Sequence, residues 1–129
     1  MNNPEEVAQI ALDCPADRVF LNKSHAEACC LKEKITTREF LERFARYIVD
    51  GYVAGRFNWD SCDSAMNNLS ALMAEYLLMP DYAWKVFLAF DAGEYHPNTP
   101  NLSPDEVTRP LIDKIIAQYH NWKPESLSR

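Results

Sequence analysis

The side chains with the most chemical potential in this chain are carboxylates near its middle. Asp91, Glu94 and His96 lie within one short stretch. Two carboxyls and an imidazole can carry out general acid–base chemistry, because burial moves carboxyl pKa values toward neutrality. Gly93 and a proline-containing loop flank them, so solvated charge and partner contact are the competing readings. Asp60 and Asp63 form a second pair at an expected helix start, where capping and the helix dipole favour anions.

His25 and Cys29 are four apart and share a helix face, as two metal ligands can. Cys30 adjoins them and Cys14 lies upstream. The usual paired Cys-x-x-Cys spacing is missing, and small cysteines filling a core are the plainer reading. No Glu is followed by His at the third position, which argues against a carboxylate-bridged metal centre. No Ser or Cys sits in a nucleophile-elbow pattern. Three glycines do not supply a phosphate-cradling loop. The residues therefore predict no catalytic group, no metal ligand and no cofactor.

Charge is distributed unevenly. Between Asp60 and Glu106 the acids are Asp60, Asp63, Glu75, Asp81, Asp91, Glu94, Asp105 and Glu106, against the single base Lys85, which makes −7. The whole chain carries −6, so this stretch holds essentially all of the net charge. Such a field repels nucleic acid and anionic lipid and attracts basic proteins. Arg38, Arg43 and Arg46 share a helix, but Glu39 and Glu42 interleave them, which reads as a solvated ion-pair face. Tyr82, Trp84, Tyr95 and Trp59 lie in or beside the acidic stretch, and aromatics beside charge can anchor a partner.

The elements that position these residues read as helices. At 129 residues and 47% hydrophobic content, the sequence predicts one domain, 1–129, with a core of its own. Few glycines and few β-branched runs argue against a β fold. Asn3 caps a first helix with Pro4 in its first turn, ending near Cys14-Pro15. Arg18-Val19-Phe20-Leu21 reads as a helical turn or an extended connection. Ser24 with Glu27, and Thr36 with Glu39, read as capping boxes. After Thr36, Phe40, Leu41, Phe44, Ala45, Ile48, Val49, Tyr52 and Val53 recur at helical spacing, and Gly55 is the stop.

Asp60 is the expected cap of the next helix, which Pro80 ends. Asp81 is the expected cap of another, apolar almost all round and so expected at the centre of the core, with Gly93 as its stop. Ser103-Pro104-Asp105-Glu106 combines a capping box with Pro at the first helical position. Pro110 should break or restart that helix. Leu111, Ile112, Ile115, Ile116 and Tyr119 give the last buried stripe. The tail 122–129 should fray, with Trp122 packing back. The expected fold is all-α: a compact bundle of five to six helices without a strand. No apolar run reaches the about 18 residues of a membrane span, and the acidic start lacks the features of a signal peptide, so a cytoplasmic location is expected. The adjacent Cys29 and Cys30 suit a reduced compartment.

Three segments carry a resemblance. Phe40-Leu41-Glu42-Arg43-Phe44 with Gly51, then Cys62-Asp63-Ser64-Ala65-Met66-Asn67, then Ala89-Phe90-Asp91-Ala92-Gly93-Glu94-Tyr95 resemble the small acidic helical immunity proteins of bacterial contact-dependent growth inhibition and polymorphic toxin systems. The resemblance implies a protein without catalytic residues that binds a cognate toxin domain in the cytoplasm and blocks it. A nuclease toxin would be basic, and an acidic inhibitor would mimic its polyanionic substrate. Asp60, Asp63, Asp91, Glu94 and Tyr95 are the expected partner contacts. A helical adaptor or regulatory subunit is the alternative, and a small metal-dependent enzyme using Asp91, Glu94 and His96 is a third reading.

Overall fold

The computed structural model describes residues 3–14 and 21–119. They form six helices and no strand: α1 (Pro4–Leu12), α2 (Lys23–Glu33), α3 (Thr37–Val53), α4 (Trp59–Tyr76), α5 (Asp81–Glu94) and α6 (Pro104–Gln118). This is the all-α bundle that the periodicity predicts. The segment Arg18-Val19-Phe20 and the tail from Trp122 lie outside the described residues.

α3 is the central element, and it packs against α1, α2, α4 and α5. Ten of its 17 residues are buried, which leaves room for only a narrow exposed face. Phe40, Phe44 and Ile48 interlock there with Met66, Leu69 and Met73 of α4 and Phe90 of α5, all fully buried. Burying each such side chain contributes about 1.5–3 kcal/mol. α5 is less central than its apolar sequence suggests. It buries Tyr82, Ala83, Val86, Ala89, Phe90 and Gly93 on one side, while Leu88 stays exposed. A helix without polar punctuation does not announce which face it will bury; here α3, α4 and α6 cover only part of the circumference.

Side-chain caps start five helices. Asn3, Thr36 and Ser103 cap where expected, and Ser103 with Glu106 forms the full reciprocal box. Two caps differ from the sequence reading. Asn22, not Ser24, accepts from the His25 N–H, and Asn58, not Asp60, accepts from the Ser61 N–H. Asn is as good a cap as Ser or Asp, so packing chooses between close neighbours. α5 has Pro80 at its cap position and no side-chain cap bond; Asp81 pairs instead with Lys85 at 3.3 Å and accepts from the Tyr119 hydroxyl.

The helix ends follow from the left-handed region. Gly55, at φ 79°, closes α3 with the bonds Arg56 N–H to Gly51 C=O and Gly55 N–H to Tyr52 C=O. Leu77 closes α4 the same way at φ 52°, where a side chain costs about 1 kcal/mol. Gly93 is not a stop: α5 runs through it to Glu94. Pro110 does not interrupt α6 either. Pro110 lies on the exposed side of the helix, so the Glu106 carbonyl that loses its donor can turn to water.

Candidate binding site: a carboxylate cluster where α4 starts and α5 ends

α4 and α5 form an antiparallel pair joined by Leu77–Pro80, so the start of α4 lies against the end of α5. A latch holds them. The Trp59 indole Nε1–H donates to Thr108 Oγ1 at 2.8 Å, and the Thr108 hydroxyl donates to the Ala89 carbonyl at 2.8 Å. The Trp59 ring also packs on Phe90, with centroids 6.3 Å apart. Gly93 makes this possible. A Cβ there would stand 2.5 Å from Thr108 Oγ1 and 2.9 Å from Trp59 Cζ2, inside van der Waals contact.

The latch brings carboxylates together. Asp60, Asp63 and Asn67 recur at steps of three and four, on one face of α4. Asp91 and Glu94 do the same on α5. Asp63 and Glu94 meet in a carboxyl–carboxyl hydrogen bond, and Glu94 also accepts from Asn67 Nδ2 at 3.1 Å. Burial pushes the Asp63 carboxyl up to about 8, and the neighbouring charges of Glu94, Asp91 and Asp60 push in the same direction. Asp91 is also raised, by desolvation and then by its contact with Glu94. Glu94 is lowered because Asp63 and Asn67 donate to it. The trio therefore favours proton uptake, with Asp63 pushed toward the protonated form and Glu94 toward the ionised one.

Among the described residues, none of the three is in an ion pair. Lys85, the single base of the acidic stretch, is engaged elsewhere, with Asp81, Gln118 and the Tyr119 ring. It lies nine residues before Glu94, about 13 Å along the helix. Asp91 and Glu94 also stand at the negative end of the α5 dipole, where each carboxylate is disfavoured by about 0.3–1 kcal/mol. Helix stability does not account for their position.

Of the five expected contact residues, the structure gathers Asp63, Asp91 and Glu94, with Asp60 in the same field. Tyr95 follows directly and is 78% exposed. Asp63 has a larger part than its reading as a helix-start residue allowed. Asn67 was missed, although its spacing from Asp60 and Asp63 was the available signal. His96 does not join Asp91 and Glu94; its Nδ1 engages Thr99 in the following turn. Three of the four aromatics proposed as anchors are otherwise used. Tyr82 is buried, Trp59 is latched, and Trp84 packs half-buried on Phe87.

Other candidate chemistry resolves as structure. Cys29 and Cys62 are buried, and burial pushes their thiols up to about 11 and about 12, so neither offers a thiolate. Among the described residues, no three His, Cys, Asp or Glu side chains are placed to hold a metal ion. The expected ion-pair face of α3 is not fully solvated. Glu39 and Glu42 are buried: Glu39 lies beside Arg43 where α1 and α2 meet α3, and Glu42 lies near Tyr82 of α5. Glu39 does not close a capping box with Thr36. It faces Arg43 at 3.6 Å, and Arg43 also makes a two-pronged bond to Glu5 at 3.0 and 2.7 Å and approaches Glu33 at 3.9 Å.

Among the described residues, no helix is long and apolar enough to cross a membrane. No protein-family model matches the chain, and no curated protein or solved structure matches it.

Proposed function

We propose that this chain is a non-enzymatic immunity or inhibitor protein that binds a basic protein domain in the cytoplasm. The partner would be a cognate toxin domain, with a nuclease as the favoured class, because a phosphate-binding surface is basic. One observation supports this reading above the others: Asp63, Asp91 and Glu94 converge without an ion-pair partner among the described residues, at a surface end beside the exposed Tyr95. Carboxylates kept together against their mutual repulsion serve a function that folding does not need. The resemblance of the Phe40–Phe44, Cys62–Asn67 and Ala89–Tyr95 segments to immunity proteins points the same way.

The physics suits a fast, tight inhibitor. A field of one sign steers a basic partner and can raise association to about 10⁸–10⁹ M⁻¹s⁻¹ at low salt. Tyr95 would supply a central anchor and the carboxylates a polar surround, within a total interface of about 1,600 Å². The test is a charge reversal, Asp91→Lys with Glu94→Lys, measured against the partner co-purified from the native bacterium. Association should slow by at least about tenfold and lose most of its salt dependence, with the helical fold intact. Unchanged kinetics would remove the site, and an acidic or apolar partner would favour an adaptor.

A further inference from the structure

We infer that the outward face of α5 is a self-association surface, on which a second copy of this chain packs its own α5 antiparallel about a two-fold axis at Leu88. This goes beyond the reading of the acidic end and does not depend on it.

α5 turns Tyr82, Val86, Ala89, Phe90 and Gly93 inward, and it packs against α3, α4 and α6. The opposite side carries Trp84, Leu88 and Asp91, at the four- and three-residue steps of a helix–helix seam. Leu88 is 44% exposed there, Trp84 is half-buried, and Ala92 lies beside them. This is the apolar remainder of a helix whose sequence is apolar almost all round, and a side that faced only water would need neither Leu88 nor Trp84. An open groove of about 230 Å³ runs alongside, between α5 and α6, lined by Lys85, Leu88, Ala89, Leu111, Lys114 and Ile115.

A second copy is the occupant because the face is complementary to itself. In an antiparallel pair with a two-fold axis at Leu88, residues equally far before and after it stand opposite each other. Leu88 meets Leu88. Trp84, four residues before, meets Ala92, four after, so the largest side chain of the face stands over the smallest. Lys85, three before, meets Asp91, three after, and the symmetry makes each pairing twice. Size and sign therefore agree in one register. Asp91 is exposed and has no ion-pair partner among the described residues of its own copy. A basic partner would be repelled by Lys85 and Lys114 in the groove, whereas a second copy brings a carboxylate to them. Each copy carries −6, and that repulsion opposes association at low salt. One face of a 14-residue helix is also small for an interface. The dimer is thus weak and reversible, gains strength as salt screens the net charge, and covers Asp91 while it lasts.

The experiment is sedimentation equilibrium of the full chain from about 10 μM to 1 mM, at low and at moderate salt. A monomer–dimer equilibrium should appear and shift toward dimer with salt. Leu88→Asp sets two carboxylates face to face at the axis and should weaken dimerisation at least about tenfold. The position is exposed, so circular dichroism should show the helices unchanged. At moderate salt, where the change in net charge is screened, Lys85→Glu and Asp91→Lys should each weaken the dimer several-fold, and the two together should restore it. A monomer at every concentration overturns the inference and leaves the acidic-surface reading standing. If the co-purified partner then binds less tightly to Leu88→Asp, the stripe belongs to that partner. A dimer indifferent to Leu88→Asp uses another face, and a double variant no better than the single ones rules out this register; either result overturns the inference too.

Discussion

Glu5, Glu33 and Glu39 meet around Arg43 where α1, α2 and α3 join; Asp63, Asp91 and Glu94 meet where α4 starts and α5 ends, with no ion-pair partner among the described residues. Both places crowd carboxylates, and both bury one of them. Glu39 is 1% exposed and Asp63 9%. The first region answers with an internal cation, held in its charged form chiefly by the Glu5 hydrogen bond. The second answers with a proton. The contrast separates scaffold from surface: the first acid cluster contains its own base, and the second presents the charge that the proposed basic partner would meet.

Changes at Arg43 should have the largest effect. Arg43→Met removes the cation and leaves Glu39 buried and unpaired, and it should cost about 3–5 kcal/mol in urea unfolding. A loss below about 1 kcal/mol would mean that the two clusters are not different in kind. At the second cluster the sign reverses. The Asp63 pKa is raised in the folded protein above its unfolded value, so the native state binds more protons between about pH 4 and 8. Stability must fall as pH rises through that window. Asp63→Asn should therefore stabilise the fold by about 2 kcal/mol at pH 8 and by almost nothing at pH 4, with the lowered Glu94 trimming the gain. Thermal melts at the two pH values decide this, and a destabilised variant at pH 8 would contradict it.

Asp91→Lys should make the second cluster resemble the first. It supplies a base at the favourable end of the α5 dipole and should add about 0.5–1 kcal/mol. The Asp63 carboxyl should then titrate lower, which NMR reads directly. Glu33→Gln is the mildest change. Glu33 stands 3.9 Å from Arg43 and is partly exposed, so stability should move by no more than about 0.5 kcal/mol. A larger loss would show that the arginine needs all three partners.

Sequence reading reached the local features and stopped at the tertiary ones. The caps at Asn3, Thr36 and Ser103 were legible because a cap and its helix are neighbours in the chain. Asn22 and Asn58 were not, because Ser24 and Asp60 offer the same chemistry one or two residues later. The burial of Glu39 and Glu42 depends on neighbouring helices, which no local pattern places. Pro110 reads as a breaker unless its exposed side of α6 is known. Asp91 and Glu94 stood out as charges that no helix start explains. Asp63 did not, because a helix-start explanation was at hand and its partners lie on another helix. His96 failed for the opposite reason: it is close to Glu94 in sequence but is taken by Thr99.

Gly93 determines how the acidic end can respond to charge. With the Trp59 ring seated on the glycine and Thr108 bonded to both helices, the end of α5 has no slack in which to slide away from α4. Mutual repulsion cannot relax as motion, so it has to appear as proton uptake. A basic partner of the kind proposed would meet oxygens already in position, with little conformational entropy lost in arranging them. A single missing methyl group thereby turns a flexible electrostatic surface into a pre-set one.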